Sequence, residues 1–253
     1  DNWQIDLVQL ENQMKSGETG MLLLCNPSNP TGACFSEEHL KKIVALCEKY
    51  SVPILADEIY ANMNFEGKFT WVAEVSEKVP VISVGGIAKR FLAPGWRLGW
   101  FTVNNRSDAI TPFIRSKLTT MCQRVLGPCG PLQGALPEIL LNTPPSYYKN
   151  LNANLQTAAK MFYNGLKDVK GLLPVMPGGA MYLMVKIDIK KFPKYKNDLE
   201  FCNDMVTQQA VFCLPGSIFD FDDSFRIVVT VPKECIDIAT SRIRRFCEDN
   251  YEN

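Results

Sequence analysis

Two runs of consecutive apolar residues, Met21-Leu22-Leu23-Leu24-Cys25 and Val52-Pro53-Ile54-Leu55-Ala56, bracket a stretch with the period of one helix. A strand buried on both faces reads as an unbroken apolar run rather than an alternation. The segment between the runs opens on Ser36 as N-cap, carries Glu37 and Glu38 in its first turn, and sets Leu40, Ile43, Val44 and Cys47 on one stripe up to about Tyr50. Two such strands joined by a helix make a βαβ unit, so residues 21–57 predict an α/β fold with a mainly parallel, doubly wound sheet. Further strands are expected at 79–84 and 98–103, and helices near 107–124 and 130–141.

The pattern breaks at Asn142-Thr143-Pro144-Pro145-Ser146. A long helical pattern runs from Ser146 to about Val169, and the order of elements then changes. Short strands are expected at Leu173–Pro177, Ala180–Ile187, Ala210–Leu214 and Phe225–Val231, mixed with helices near 197–209 and 232–250. Residues 1–145 are therefore expected to form a parallel α/β piece and 146–253 a smaller α+β domain.

Composition removes several classes of function. The 27 basic residues cancel the 27 acidic ones, and no Lys/Arg run exceeds a pair, so neither nucleic acid nor a membrane is an expected partner. A single histidine, His39, leaves no two-His metal site, and no metal is expected; in its polar surroundings His39 reads as a solvated side chain. Nine cysteines stand singly, most in apolar stretches, which fits buried reduced thiols and a cytoplasmic setting better than a disulfide framework. On the same ground the sequon Asn105-Arg106-Ser107 is discounted. No apolar run approaches the roughly 18 residues that span a bilayer. The chain opens on Asp1 rather than Met, and a segment upstream of it is expected.

In an open parallel sheet, ligands bind beyond the carboxyl ends of the strands. Asn29 follows the first strand, Asp57 and Tyr60 the second, Ser83 and Lys89 the third. Taken singly, Asp57 is a helix cap, Asn29 a turn residue and Lys89 a surface lysine; together they describe one site. Lys89 follows Gly85-Gly86-Ile87-Ala88 and precedes Phe91-Leu92, close-packed surroundings that favour a neutral, nucleophilic amine suited to a Schiff base. An aspartate that keeps a heteroaromatic nitrogen protonated and a tyrosine reaching a ring hydroxyl are the supports a pyridoxal ring needs as an electron sink. The Asn29–Pro30 bond is expected to be cis, turning the loop back so that Asn29 faces the ring.

Five ordered motifs carry a resemblance: Asn26-Pro27-Ser28-Asn29-Pro30-Thr31-Gly32, Asp57-Glu58-Ile59-Tyr60, Gly85-Gly86-Ile87-Ala88-Lys89-Arg90-Phe91, Pro94-Gly95-Trp96-Arg97-Leu98-Gly99-Trp100 and Phe225-Arg226-Ile227-Val228-Val229-Thr230-Val231-Pro232. The chain resembles, from Trp3 to its last residues, the class I, fold-type I pyridoxal-phosphate aminotransferases, and most closely the branch that acts on tyrosine. The resemblance implies that 1–145 is the later portion of the large cofactor-binding domain and 146–253 the small C-terminal domain. It implies transamination of an aromatic amino acid with a 2-oxo acid, 2-oxoglutarate being the expected acceptor, in a cytoplasmic homodimer. Lys89 would hold the cofactor covalently and shuttle the substrate proton. Asp57 would pair with the pyridine nitrogen, Tyr60 and Asn29 with the ring 3-oxygen, and Arg97 with the phosphate. Arg226 would grip the substrate α-carboxylate in a bidentate fork. Its ordinary alternative is a strand-start arginine paired with Asp220, Asp222 or Asp223.

Two departures accompany the resemblance. Many family members place Ser or Thr three residues before the lysine, where this chain has Gly86, and Ser83 is the candidate to supply the phosphate hydroxyl instead. Family members also have a long segment ahead of Trp3 that cradles the phosphate, so the chain alone is expected to be a poor catalyst. A transaminase of different specificity, a C–S lyase of the same fold, and a catalytically silent fragment are the alternatives.

Overall fold

The computed structural model describes residues 3–252 apart from 107, 109, 111 and 125. Ser107 of the sequon thus lies outside the described residues. Two compact units divide the chain: one holds residues 4–27 and 35–149, the other Trp3, residues 28–34 and the chain from 150 onward.

The first unit runs α1 (Leu7–Lys15), β1 (Leu22–Cys25), α2 (Glu37–Lys49), β2 (Ile54–Asp57), α3 (Val72–Val75), β3 (Val81–Gly86), β4 (Gly99–Asn104), α4 (Pro112–Gln123) and α5 (Gly130–Asn142). Its sheet has the order β1-β2-β3-β4, with β1, β2 and β3 parallel. The expected N-cap is in place, the Ser36 hydroxyl accepting His39 N–H at 3.2 Å. The stripe of Leu40, Ile43, Val44 and Cys47 is buried against Leu24, Ile54, Ala56 and Val81. Helix α1 is absent from the sequence reading; only Met14 of it is buried, so its apolar period is faint.

The fourth strand is antiparallel to β3, pairing Gly86 with Gly99 and Val81 with Asn104. The reason is the connection. A parallel return needs a crossover of a dozen or more residues, usually helical, and residues 87–98 hold only the single 3-10 turn Pro94–Trp96.

The second unit contains α6 (Pro145–Leu166) from residue 150, β5 (Leu172–Val175), β6 (Tyr182–Ile187), α7 (Asp198–Gln209), β7 (Leu214–Pro215), β8 (Ser224–Val228) and α8 (Lys233–Asn250). Its sheet is antiparallel, in the order β5-β6-β8-β7. The core is aromatic: the Phe201 ring lies 5.1 Å from Phe192, 5.4 Å from Tyr195 and 5.0 Å from Phe246, centroid to centroid. The expected strand at 210–214 shrinks to the two residues of β7, because Ala210 takes the left-handed conformation that ends α7 and the chain meets its partner only at Leu214.

Two surface expectations change. His39 is half-buried, its ring 5.6 Å from Phe35, and burial pushes its pKa down. Of the nine cysteines, Cys47, Cys202, Cys213 and Cys247 are buried, Cys25 and Cys34 are half-buried, and Cys122, Cys129 and Cys235 are exposed. Among the described residues no helix is long and apolar enough to cross a membrane.

Candidate active site

The candidate residues fall into two sets, one in each unit. In the first unit the parallel ladder ends on Asp57 and Val84, which are register partners, so the residues following β2 and β3 leave the sheet at the same end. Because β4 runs the other way, Arg97 enters the sheet at that end too. Asp57, Tyr60, Lys89 and Arg97 therefore gather at the carboxyl end of the parallel strands, the usual ligand end of such a sheet.

Local geometry fixes each of them. Asp57 is half-buried, and its Oδ1 accepts Ile59 N–H at 3.2 Å, the short-range bond of an Asx turn. Tyr60, only 2% exposed, sits in the turn that follows and lies under Lys89, whose Nζ is 5.8 Å from its ring centroid. Lys89 itself begins a tight turn in which its carbonyl accepts Leu92 N–H at 2.9 Å. Arg97 is exposed in the left-handed region at φ +50, with Nη1 donating to the Pro94 carbonyl at 2.9 Å.

Ser83 does not join this set. Ser83 pairs with Ala56, and Asp57 with Val84; side chains alternate along a strand, so Ser83 and Asp57 point to opposite faces of the sheet. The Ser83 hydroxyl lies instead beside Glu58, a carboxyl 2% exposed whose Oε1 accepts Val72 N–H at 2.8 Å. Burial pushes the Glu58 pKa up, with Val72 and Ser83 opposing. The glycine at 86 has a packing cause: a Cβ there would meet Ile59 Cδ1 at 3.0 Å and the Leu98 carbonyl at 3.2 Å.

The second set is built on the loop 28–34 and on β8. Both Asn26–Pro27 and Asn29–Pro30 are cis; the second was expected, the first was not. The loop is fastened to the turn before β6, where Gly178 and Gly179 N–H donate to the Gly32 carbonyl at 2.9 and 3.0 Å. Gly32 is obligatory: φ is +69, and a Cβ would lie 2.5 Å from Pro177 Cβ and 2.7 Å from the Tyr182 carbonyl. So anchored, Asn29 accepts Arg226 Nη1 on its Oδ1 at 2.7 Å, a bond between residues 197 positions apart. The Arg226 guanidinium carbon lies 4.4 Å from the Tyr182 ring centroid and 4.6 Å from that of Phe219. Sequence reasoning assigned neither ring a role. Tyr182 lies in the expected strand Ala180–Ile187 and Phe219 between expected elements, and neither falls in the five motifs.

Chemically, the first set offers a carboxylate, a phenol, a primary amine and a guanidinium. The second offers a guanidinium with an amide oxygen already on one nitrogen.

The family model for aminotransferases of class I and II matches residues 1–243. Among curated relatives, a tyrosine aminotransferase of Bos taurus is 47% identical over 251 residues, covering 99% of this chain and 56% of the relative. That of Caenorhabditis elegans is 40% identical over 234 residues, covering 92% and 50%. Among solved structures, a tyrosine aminotransferase from Leishmania infantum superposes with a TM-score of 0.94 at 30% identity, covering 99% of this chain and 61% of that one. An alanine aminotransferase from Pyrococcus furiosus gives 0.91 at 29%, covering 98% and 62%. The chain spans about half the length of the curated relatives it matches.

Proposed function

The chain belongs to the class I and II aminotransferase family, and from that premise we propose that it serves pyridoxal-phosphate-dependent transfer of an amino group from an aromatic amino acid, tyrosine, to a 2-oxo acid, 2-oxoglutarate. The observation that carries the reading is the gathering of Asp57, Tyr60, Lys89 and Arg97 at one end of one sheet. Tyrosine as donor is supported by the relatives quoted above. On this reading the first unit is part of a cofactor-binding domain, the second a small domain, and the protein a cytoplasmic homodimer.

The donors present fit pyridoxal phosphate by their chemistry: a carboxylate for a ring nitrogen, a phenol for a ring oxygen, an amine for an aldehyde carbon and a guanidinium for a phosphate. When bound, the cofactor supplies an electron sink for the pair released at the substrate α-carbon. Lys89 would hold the cofactor through Nζ and would move the proton at that carbon. Asp57 keeps a proton on the ring nitrogen, and its bond to Ile59 N–H fixes the carboxylate plane. Tyr60 would bind the ring oxygen, and Arg97 would bind the phosphate. Arg226 orients the amino acid by its carboxylate, which suits a planar fork. Ser83 has no part in this, since it faces the other side of the sheet.

Borohydride reduction of the pyridoxal-phosphate-loaded protein followed by peptide mapping tests the reading. Label is expected on Lys89, and Lys89→Ala is expected to abolish both the label and tyrosine transamination while keeping the far-ultraviolet circular dichroism. Label on another lysine, or near-normal turnover in the variant, refutes it.

A further inference from the structure

A polar cavity opens on the face of the first unit's sheet that is turned away from Asp57. Ser83 pairs with Thr102 and Gly85 with Trp100, and by alternation these residues share the face opposite Asp57 and Val84. Gly85 makes room there, since a Cβ would lie 2.8 Å from Trp100 Nε1. Glu58, Trp71, Ser83, Arg90, Trp100 and Arg106 are among the lining residues, all within the one unit. The volume is about 400 Å³, inside the roughly 300–1,000 Å³ of small-molecule sites.

The lining is unbalanced in charge. Arg90 is half-buried, its guanidinium carbon 4.8 Å from the Phe91 ring centroid, 5.9 Å from that of Trp100 and 6.0 Å from that of Trp71. Among the described residues no carboxylate or other acceptor meets it, and burial pushes its pKa down. Glu58 could have neutralised it and does not. That carboxyl is 2% exposed, its Oε2 is buried without a hydrogen-bond partner among the described residues, and burial favours its uncharged form. The other acid on the wall, Glu74, is exposed, with Lys68 Nζ 3.9 Å from its carboxylate. Arg106 spends one Nη1 on the Ser76 carbonyl at 3.1 Å. The cavity thus sets two guanidiniums against one solvated carboxylate.

A cation removed from water is costly until an anion pairs with it, and two indoles offer a flat apolar wall. We propose that this cavity binds a flat organic monocarboxylate, its anion on the Arg90 guanidinium and its apolar body against Trp71 and Trp100. The N–H groups of a guanidinium form a fork that matches two carboxylate oxygens, and none of those of Arg90 is taken by the protein among the described residues. A surplus of one positive charge suits a monoanion. The site draws on neither Lys89 nor Arg226, so its failure leaves the transaminase reading standing.

The test uses the full-length, pyridoxal-phosphate-loaded protein with nitrogen-15 in its indoles, so that Trp71 and Trp100 report on the cavity by NMR and Trp3 and Trp96 serve as controls. Titration with 2-naphthoate is expected to shift the Trp71 and Trp100 indole resonances along one saturable curve. Arg90→Gln should weaken that binding at least about tenfold, the worth of a lost charge-assisted bond. On the unaltered protein 2-naphthamide, the same body without the charge, should bind at least about tenfold more weakly. Trp71→Leu keeps Arg90 and removes a wall; read on Trp100, it should weaken 2-naphthoate about threefold. Arg226→Gln, expected to raise KM for tyrosine and the inhibition constant of the competitor 3-phenylpropionate, should leave the 2-naphthoate curve within about twofold. Unmoved Trp71 and Trp100 resonances overturn the proposal, as does equal affinity for 2-naphthamide or an unchanged curve in a folded Arg90→Gln; should that variant not fold, the amide and Trp71→Leu decide. Inorganic phosphate binding more tightly than 2-naphthoate on the same resonances overturns the choice of an organic carboxylate.

Discussion

Replacing Gly32 with alanine strikes the residue whose carbonyl fastens the loop of Asn29 to the turn before β6. The backbone there has φ +69, and an L side chain in the left-handed region costs about 1–2 kcal/mol. The added methyl would also lie 2.5 Å from Pro177 Cβ and 2.7 Å from the Tyr182 carbonyl. Neither neighbour is the tip of a flexible chain, and overpacking of this kind costs about 1–3 kcal/mol. The sum, about 2–5 kcal/mol, falls on the loop rather than on the whole unit, because segments with few anchors open independently of the core. At about 1.4 kcal/mol per factor of ten, the loop should open about 30 to several thousand times more often. Gly178 and Gly179 N–H report this directly, since both donate to the Gly32 carbonyl. Hydrogen exchange followed by NMR should show those two amides accelerated at least about thirtyfold, with Leu183 in β6 unchanged. Binding of 3-phenylpropionate should weaken as Asn29 loses its place on Arg226. Exchange at Gly178 and Gly179 within about threefold of the unaltered protein, with an unchanged thermal midpoint, would refute the claim that Gly32 fastens the loop.

Two further outcomes are expected. Asp57→Asn keeps the shape but not the charge, and transamination should slow by about a hundredfold or more, the magnitude of an electrostatic contact realised mainly in the transition state, with cofactor affinity less affected; an unchanged single-turnover rate counts against it. Glu58 has its pKa raised by burial, so the folded form holds that proton more tightly than the unfolded form does. Its contribution to stability is complete below its ordinary value of 4.5 and is lost as pH rises through the raised folded value. Glu58→Gln, which keeps an acceptor for Val72 N–H, should remove that downward slope from urea unfolding measured at pH 4 to 8, and an identical pH profile would show that Glu58 does not titrate in this window.

The elements easiest to read were those whose local signals agree. Ser36, the acids behind it and the stripe from Leu40 to Cys47 all point to α2, and the apolar runs on either side are strands, although β1 lies at the sheet edge with Leu23 67% exposed rather than buried on both faces. The direction of β4 was harder, because an apolar run looks the same in either sense; the absence of a helix from residues 87–98 was the available clue. That Lys89, Asp57, Tyr60 and Arg97 stand at one end of the sheet was legible because loops at the ends of parallel strands converge whatever the detail of the sheet. Ser83 was misread for want of parity: three residues from Gly86 along the chain says nothing of the face it takes, and only the pairing with Ala56 does. The rings of Tyr182 and Phe219 beside Arg226 were passed over because contacts across strands and turns are displayed by no linear spacing.

The bond between Asn29 and Arg226 joins residues 197 positions apart, and that separation has a consequence during synthesis. At about 5–20 residues per second, Asn29 is made roughly 10–40 s before Arg226. For about the first three quarters of that interval the loop 28–34 has no Gly178, Gly179 or Tyr182 to rest on, while α2 and β1 to β3, closed by short-range contacts, are free to form. The contact of Asn29 with Arg226 is thus among the last in the nascent chain to be completed, and until then the loop that carries Asn29 waits open.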